Sequence, residues 1–123
     1  MKREFIGIMG KLGCELETAG DVEIVRAEGQ ADIYTSPELT KILEALVDRG
    51  ARRIVLDLEK LTYLDSSALA GLLKILKKLK PLNGSIKLVG LGGKPLEVFE
   101  LSRFLDLFEN FPDRETALRS FSS

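Results

Sequence analysis

The chain of 123 residues contains no histidine, no tryptophan and one cysteine, Cys14. Without histidine it cannot carry a Ser-His-Asp relay or a histidine-ligated zinc ion. A single cysteine cannot form an internal disulfide or a thiolate metal site. Lysine and carboxylate chemistry remain available, but many kinds of enzyme active site are excluded, and we expect no metal and no cofactor.

The chain also lacks a charge imbalance and a long apolar run. Its 18 basic and 19 acidic residues give a formal net charge of −1, which creates no broad field to attract nucleic acid or an anionic membrane. No uncharged apolar stretch approaches the roughly 20 residues of a membrane-spanning helix. The first residues include Glu4 and lack the sustained apolar core of a signal peptide. Together with the lone cysteine, these features predict a cytoplasmic protein of one compact domain.

Periodicity and turn residues predict the order of the elements. A hairpin is predicted over residues 14–28 around Gly20-Asp21, while the first dozen residues either add an edge strand or form no regular structure. Ser36 and Pro37 predict a helix start, with Ser36 as the cap, and Gly50 ends that helix. Further strands are predicted at 52–58, 85–91 and 107–111, and further helices at 69–79, 94–104 and 113–121.

A hairpin followed by alternating helices and strands is typical of an α/β protein. We expect a single mixed, largely parallel sheet, packed with about four helices and carrying an N-terminal β-hairpin. In such sheets functional groups gather beyond the carboxyl ends of the strands. Asp65-Ser66-Ser67 and the Gly-rich residues 90–94 both fall where strands should end.

The run Asp65-Ser66-Ser67 directly precedes the second long helix and permits two interpretations. Short oxygen-bearing side chains cap the unpaired N–H groups of a helix start, but one such residue is sufficient for a cap. The same position also suits a phosphate acceptor, because phosphate oxygens are stabilised at a helix N-terminus. Phosphorylation beside Asp65 would add roughly −1.5 to −2 charge and change the surface without refolding the domain.

Other polar segments carry weaker signals. Asp32 lies between a predicted strand and a helix, where it either forms a turn or reaches the functional end of the sheet. The sequence "GLGGKP" is not a Walker loop, because Leu88 replaces the first glycine and Pro95 the final Ser or Thr. A phosphoaspartate receiver domain would need an acidic cluster that is missing, and Asp57 lies inside its strand. The lysines of residues 74–80 read as a solvated helix face.

Three segments of the chain resemble the STAS domain family, named for sulfate transporters and anti-sigma factor antagonists. "VRAEGQADIYTSPEL" is similar to the family's strand, Asp and first helix. "RRIVLDLEKLTYLDSSALAGLLKILKKLK" is similar to its central strand, Asp-Ser-Ser/Thr motif and second helix, and "LFENFPDRETALRSF" to its closing strand and helix. The resemblance predicts a STAS domain over residues 14–123 and leaves residues 1–13 as an N-terminal extension of uncertain role.

The resemblance implies a bacterial anti-sigma factor antagonist, which is a regulatory binding protein and not an enzyme. In stand-alone family members the serine after the motif aspartate is phosphorylated by an anti-sigma factor serine kinase, which here indicates Ser66 and less so Ser67. The unphosphorylated form binds the kinase and frees a sigma factor; phosphorylation breaks that complex, and a metal-dependent serine phosphatase restores it. The partner surface is expected to include Asp32, Asp65, Ser67, Ala68 and Leu69.

One departure from the family pattern keeps other functions open. The common Gly-Leu-Gly after the two hydroxyl residues is here Ala68-Leu69-Ala70, whose extra methyls could hinder a kinase. Alanine at these places is also found in STAS accessory subunits of lipid-transport ATPases, which is the alternative function. A third hypothesis is a small hydrolase with Ser66 or Ser67 as nucleophile and lysine or aspartate as base.

Overall fold

A computed structural model of the protein describes the backbone of residues 2–9 and both backbone and side chains of residues 11–121. Seven strands and four helices follow one another along this part of the chain. In order they are β1 (Lys2–Met9), β2 (Leu12–Ala19), β3 (Val22–Ala31), α1 (Ser36–Asp48), β4 (Arg53–Asp57), β5 (Leu61–Leu64), α2 (Ser66–Leu79), β6 (Ser85–Val89), α3 (Gly93–Leu101), β7 (Asn110–Phe111) and α4 (Arg114–Phe121).

The strands form one mixed sheet in the order β1-β2-β3-β4-β6-β7, with β5 pairing only to β3. The first three strands are antiparallel neighbours, and β4, β5, β6 and β7 are joined by parallel pairing. This arrangement follows from the sequence, because tight turns join antiparallel strands whereas parallel strands need crossover connections. The predicted mixed, largely parallel sheet with four helices and an N-terminal hairpin is confirmed.

Both faces of the sheet are covered, and alternate residues of β4 enter different cores. Ile54 and Leu56 lie in the larger core with the buried faces of α1, α2 and α3, whereas Val55 lies in a smaller core with Ala117 of α4. Successive strand residues point to opposite faces, so α4 must cover the face opposite the other helices. The almost continuously apolar β4 is explained by this burial on both sides.

An irregularity in β3 brings two loops to one end of the sheet. Residues Val22 to Arg26 pair with β4, and residues from Gly29 onward pair with β5, with a register shift at Gly29. Gly29 has a φ of +97° and donates its backbone N–H to the carbonyl of Lys60. As a result the last residue of β3 lies opposite the last residue of β5, and the chain enters α1 and α2 from adjacent positions.

Residues 2–9 form an edge strand antiparallel to β2, which is one of the two alternatives predicted for the first dozen residues. Three local features differ from the sequence-based expectations. The strand β5 was not among the predicted strands, and β2 begins at Leu12, two residues before the predicted start of the domain. The division between extension and domain remains a prediction. The N-cap of α1 is Thr35, and Ser36 is the first helical residue. The prediction of Ser36 as a cap was wrong because its hydroxyl bonds to Ser67 on the neighbouring helix, and the Thr35 side chain makes no capping bond either.

Candidate functional site

The N-terminus of α2 is organised by Asp65. Its extended backbone makes it the N-cap, and its Oδ1 accepts the backbone N–H of Ser67 at 3.0 Å. Its main-chain carbonyl accepts the N–H groups of Ala68 and Leu69 at 3.1 and 3.3 Å. The three amides of residues 67–69 are therefore already bonded to Asp65, which satisfies most of the donors that a helix start leaves unpaired.

The hydroxyl of Ser67 is held inward by two further contacts. Its Oγ donates to Asp65 Oδ1 at 2.5 Å and lies 3.0 Å from the Oγ of Ser36 on α1. A serine hydroxyl has one proton, and that of Ser67 is used on the carboxylate, so Ser36 must be the donor between the two hydroxyls. Ser36 is only 3% exposed. This chain of hydrogen bonds joins the starts of the two helices.

The hydroxyl of Ser66, unlike that of Ser67, is not held by hydrogen bonds to other described residues. Ser66 is the first residue of α2, and it is exposed. The two adjacent serines thus differ chemically: one hydroxyl is engaged with neighbouring side chains and the other is free to meet a molecule from solvent.

Asp32 fixes the loop between β3 and α1. Its Oδ1 accepts the backbone N–H groups of Tyr34 and Thr35 at 2.9 and 3.0 Å. The Thr35 hydroxyl lies 3.2 Å from the same oxygen and 2.8 Å from the carbonyl oxygen of Gln30, the nearer acceptor. Partial desolvation acts to raise the pKa of Asp32, but these hydrogen bonds from Thr35 and Tyr34 outweigh it and hold the pKa below its usual value. The turn-forming interpretation of Asp32 is therefore structurally correct, and the turn lies beside the start of α2, where Asp65 N donates to Ala31 O.

The exposed side chains on this end of the sheet are not all those expected from the motif. Ala68 and Leu69 are only 5% and 6% exposed and pack in the core, because they begin the apolar face of α2. By contrast Ile33 and Tyr34, in the turn that Asp32 closes, are 64% and 86% exposed. Ala70, which follows the two buried residues, is exposed.

Sequence reasoning did not single out Ile33 and Tyr34, nor the contact of Ser36 with Ser67. The pair Ile33-Tyr34 could have been noticed as two bulky apolar residues in a loop bounded by polar turn formers. The contact between Ser36 and Ser67 joins residues 31 apart in the chain and has no local signature.

A second polar cluster lies on the face of the sheet that α4 covers. Arg114, the first residue of α4, bonds through Nε to Asp57 Oδ2 at 2.7 Å and through a terminal nitrogen to Glu17 Oε2. Both carboxylates are buried, at 4% and 6% exposure. The arrangement attaches α4 to β2 and β4, and we assign it a structural role.

Neither cluster is suited to a metal ion. Within residues 11–121, no three His, Cys, Asp or Glu side chains are grouped as ligands. No helix in the described part of the chain is long and apolar enough to cross a bilayer. What the geometry at the start of α2 offers is an exposed serine hydroxyl, that of Ser66, beside a partly apolar surface.

Comparison with known proteins identifies the family. The STAS domain family model matches residues 14–117. BtrV of Bordetella bronchiseptica, a proposed anti-sigma factor antagonist, is 36% identical over 96 residues, covering 78% of this chain and 83% of BtrV. The anti-sigma-B factor antagonist of Staphylococcus aureus is 30% identical over 96 residues, covering 78% of this chain and 89% of that protein.

A solved structure shares the fold at lower identity. The crystal structure of an anti-sigma factor antagonist from Mycobacterium paratuberculosis superposes with a TM-score of 0.84 at 23% identity, covering 96% of this chain and 100% of that one. The matched residues include both helix starts and the Asp65-Ser66-Ser67 run. The chain therefore belongs to the STAS domain family, and its curated relatives are anti-sigma factor antagonists.

Proposed function

We propose that the protein is a phosphorylation-controlled anti-sigma factor antagonist that acts in the cytoplasm. Its unphosphorylated form binds an anti-sigma factor serine kinase and so frees a sigma factor; phosphorylation of Ser66 releases the kinase, and a metal-dependent serine phosphatase reverses the modification. The single observation that carries this proposal is the contrast between the exposed, unbonded hydroxyl of Ser66 and the engaged hydroxyl of Ser67.

The phosphoryl transfer to Ser66 is catalysed in the active site of the partner kinase. Ser66 Oγ attacks the γ-phosphorus of the nucleoside triphosphate held by the kinase, a new O–P bond forms, and the bond from that phosphorus to the β–γ bridging oxygen breaks. The nucleoside diphosphate leaves, and the hydroxyl proton passes to a base of the kinase. This chain supplies the nucleophile and a rigid backbone that presents it at the first position of α2.

The added phosphate would remain on the surface. The amides of residues 67–69, which would otherwise bind it, are bonded to Asp65. The phosphate therefore gains little beyond the favourable end of the helix dipole and is repelled by the neighbouring carboxylate. A dianionic group that is not bound by other residues of this chain changes the charge of the binding surface directly. Such a change can release a partner without refolding the domain.

The partner surface we propose combines the free serine with exposed apolar side chains around it. Ile33 and Tyr34 are exposed apolar side chains that a partner can cover, and aromatic residues are frequent energetic centres of interfaces. Asp32 contributes by holding their turn in one conformation. Ala68 and Leu69 contribute by setting the position of α2 from within the core.

The replacement of the common glycines by alanine has a limited effect on this surface. The methyl of Ala68 is buried and faces no partner, whereas that of Ala70 is exposed. Only one of the two extra methyls can therefore meet an approaching kinase. A partner that has adapted to this methyl would discriminate against relatives carrying glycine at the same place.

The test is capture of partners from a lysate of the native bacterium, using wild type, Ser66→Asp and Ser66→Ala as baits and mass spectrometry to identify bound proteins. We expect wild type and Ser66→Ala to retain an ATP-binding serine kinase, and Ser66→Asp to lose it at least tenfold, because only the aspartate adds charge. Ser66→Ala controls for loss of the hydroxyl. Equal retention by all three baits would contradict the phosphorylation switch.

Two other outcomes correspond to the other hypotheses. Capture of a transport ATPase by wild type and Ser66→Asp alike would replace the proposal with the accessory-subunit function. Steady turnover of generic esters by the purified chain, abolished in both Ser66→Ala and Ser67→Ala, would instead indicate a hydrolase.

A further inference from the structure

We propose that Ser36 is a positioning residue that selects which of the two adjacent serines accepts phosphate; this inference rests on the proposed function and deepens it. Ser66 and Ser67 are adjacent in sequence, and a kinase that recognised only the sequence motif would find two serine hydroxyls as possible phosphate acceptors. A third hydroxyl, that of Ser36 on the neighbouring helix, provides a physical reason why the two serines differ as acceptors.

The first step of the argument is the direction of the hydrogen bonds. Ser67 Oγ donates to Asp65 Oδ1, and Ser36 Oγ therefore donates to Ser67 Oγ. Ser36 is 3% exposed, and Ser67 is the only hydrogen-bond partner of its hydroxyl among the described residues. Ser36 is itself fixed in place, since it begins α1, its backbone N–H bonds to Asp32 O, and its own carbonyl accepts the hydroxyl of Thr40.

The second step is the cost of turning Ser67 outward. For Ser67 to attack a phosphorus atom in solvent, its Oγ must leave both Asp65 and Ser36. That rotation would leave the buried Ser36 hydroxyl without its only hydrogen-bond partner among the described residues. An unsatisfied buried hydroxyl is costly enough to lower the population of the outward rotamer by about fivefold to a hundredfold. Ser66 needs no such rotation.

The third step is what removal of Ser36 does. In Ser36→Ala no buried hydroxyl is orphaned when Ser67 turns outward, so the outward rotamer becomes roughly fivefold or more populated. The bond from the Ser67 backbone N–H to Asp65 Oδ1 is retained in this variant and continues to cap α2. The substitution therefore acts on the choice between the serines, while the helix start keeps its capping bonds.

One measurement needs no partner. Three-bond Hα–Hβ couplings of Ser67, recorded by NMR on the full chain, report its χ1 rotamer populations, and the outward fraction should be about fivefold or more larger in Ser36→Ala than in wild type. Ser36→Thr keeps a hydroxyl and should restore the wild-type populations, and Ser102→Ala removes an exposed serine hydroxyl outside the site and should change nothing. Equal outward fractions in Ser36→Ala and wild type would overturn the inference.

The second measurement uses the captured serine kinase with ATP and locates the phosphate by mass spectrometry. We expect wild type to carry phosphate on Ser66 alone, Ser66→Ala to accept almost none, and Ser66→Ala combined with Ser36→Ala to accept it on Ser67 at least fivefold faster. Ser66→Ala combined with Ser36→Thr should stay inert.

The outcomes separate the two proposals. Rapid modification of Ser67 in Ser66→Ala alone, or none in the double alanine variant, would overturn the role of Ser36 while leaving the switch intact. If wild type accepts no phosphate, the switch fails and the selection role fails with it, whereas the NMR couplings still establish whether Ser36 holds Ser67. Urea unfolding of each variant verifies that the comparisons are made between folded proteins.

Discussion

At the scale of single residues, Asp65 performs two tasks that the sequence presented as alternatives. It caps α2 through its side chain, and the same oxygen orients the hydroxyl of Ser67. Capping and function are therefore not competing explanations of the Asp-Ser-Ser run. The cap decides which hydroxyl is turned inward, and this leaves Ser66 as the exposed one.

Replacing Asp65 by alanine should reduce the free energy of unfolding by about 1 kcal/mol, the usual value of an N-cap, and should also release Ser67. The matched control is Asp113→Ala, which removes the cap of α4, where Asp113 Oδ1 accepts the N–H and hydroxyl of Thr116 at 2.8 Å each. Both variants should lose similar stability in urea unfolding, but only Asp65→Ala should alter kinase retention. Equal retention by the two would argue against a role for Asp65 at the partner surface.

The control also has its own pH dependence. The hydrogen bonds from Thr116 hold the pKa of Asp113 below its ordinary value of 3.8. A depressed folded-state pKa gives stability that is present above the unfolded-state pKa and is lost as the pH falls through the folded-state pKa. The stability difference between wild type and Asp113→Ala should therefore be constant near neutral pH and shrink below about pH 4, as urea unfolding at each pH would show.

At the scale of elements, the irregularity of β3 positions the site. The register shift at Gly29 lets β3 leave β4 and continue beside β5, and this places the Asp32 turn next to the start of α2. A side chain at Gly29 is blocked twice: its φ is +97°, and an added Cβ would lie 2.1 Å from the carbonyl oxygen of Lys11. A main-chain atom cannot move aside without disturbing β2.

Gly29→Ala should therefore lower the free energy of unfolding by about 2–4 kcal/mol, from backbone strain together with the clash. Gly20→Ala is the matched control, because Gly20 also has a positive φ of +63° but nothing lies within 4 Å of its added Cβ. That variant should lose only about 1 kcal/mol. Thermal or urea unfolding compares the two, and equal losses would mean that the close approach to Lys11 is unimportant.

At the scale of the whole molecule, α4 is attached to the far face of the sheet partly by a buried ionic cluster. Arg114 joins Asp57 of β4 and Glu17 of β2, and its partners lie 57 and 97 residues away in the chain. A buried ion pair of this kind adds little net stability over a well-packed apolar group. Removing one member is nevertheless costly, since the remaining charges stay buried.

Arg114→Leu should lower the free energy of unfolding by about 3–5 kcal/mol, because the buried Asp57 carboxylate loses its cation. Arg119→Leu on the same helix is the control: its ion pair with Glu115 is exposed, with side-chain exposures of 70% and 79%, and should be worth less than about 1 kcal/mol. Urea unfolding measures both. Equal losses in the two variants would contradict a special role for the buried cluster.

The sequence by itself determined the hairpin, the alternation of helices and strands that follows it, the mixed sheet and the position of the Asp-Ser-Ser run, but not the separate strand β5. These depend on local properties: helical and strand periodicity, turn residues such as Gly20-Asp21, and polar residues at a helix start. The tertiary structure decided which hydroxyl is free, that Ala68 and Leu69 are buried while Ile33 and Tyr34 are exposed, and that Ser36 meets Ser67. Burial and contacts between distant segments depend on how β3 and β5 bring two helix starts together, and no local pattern carries that information.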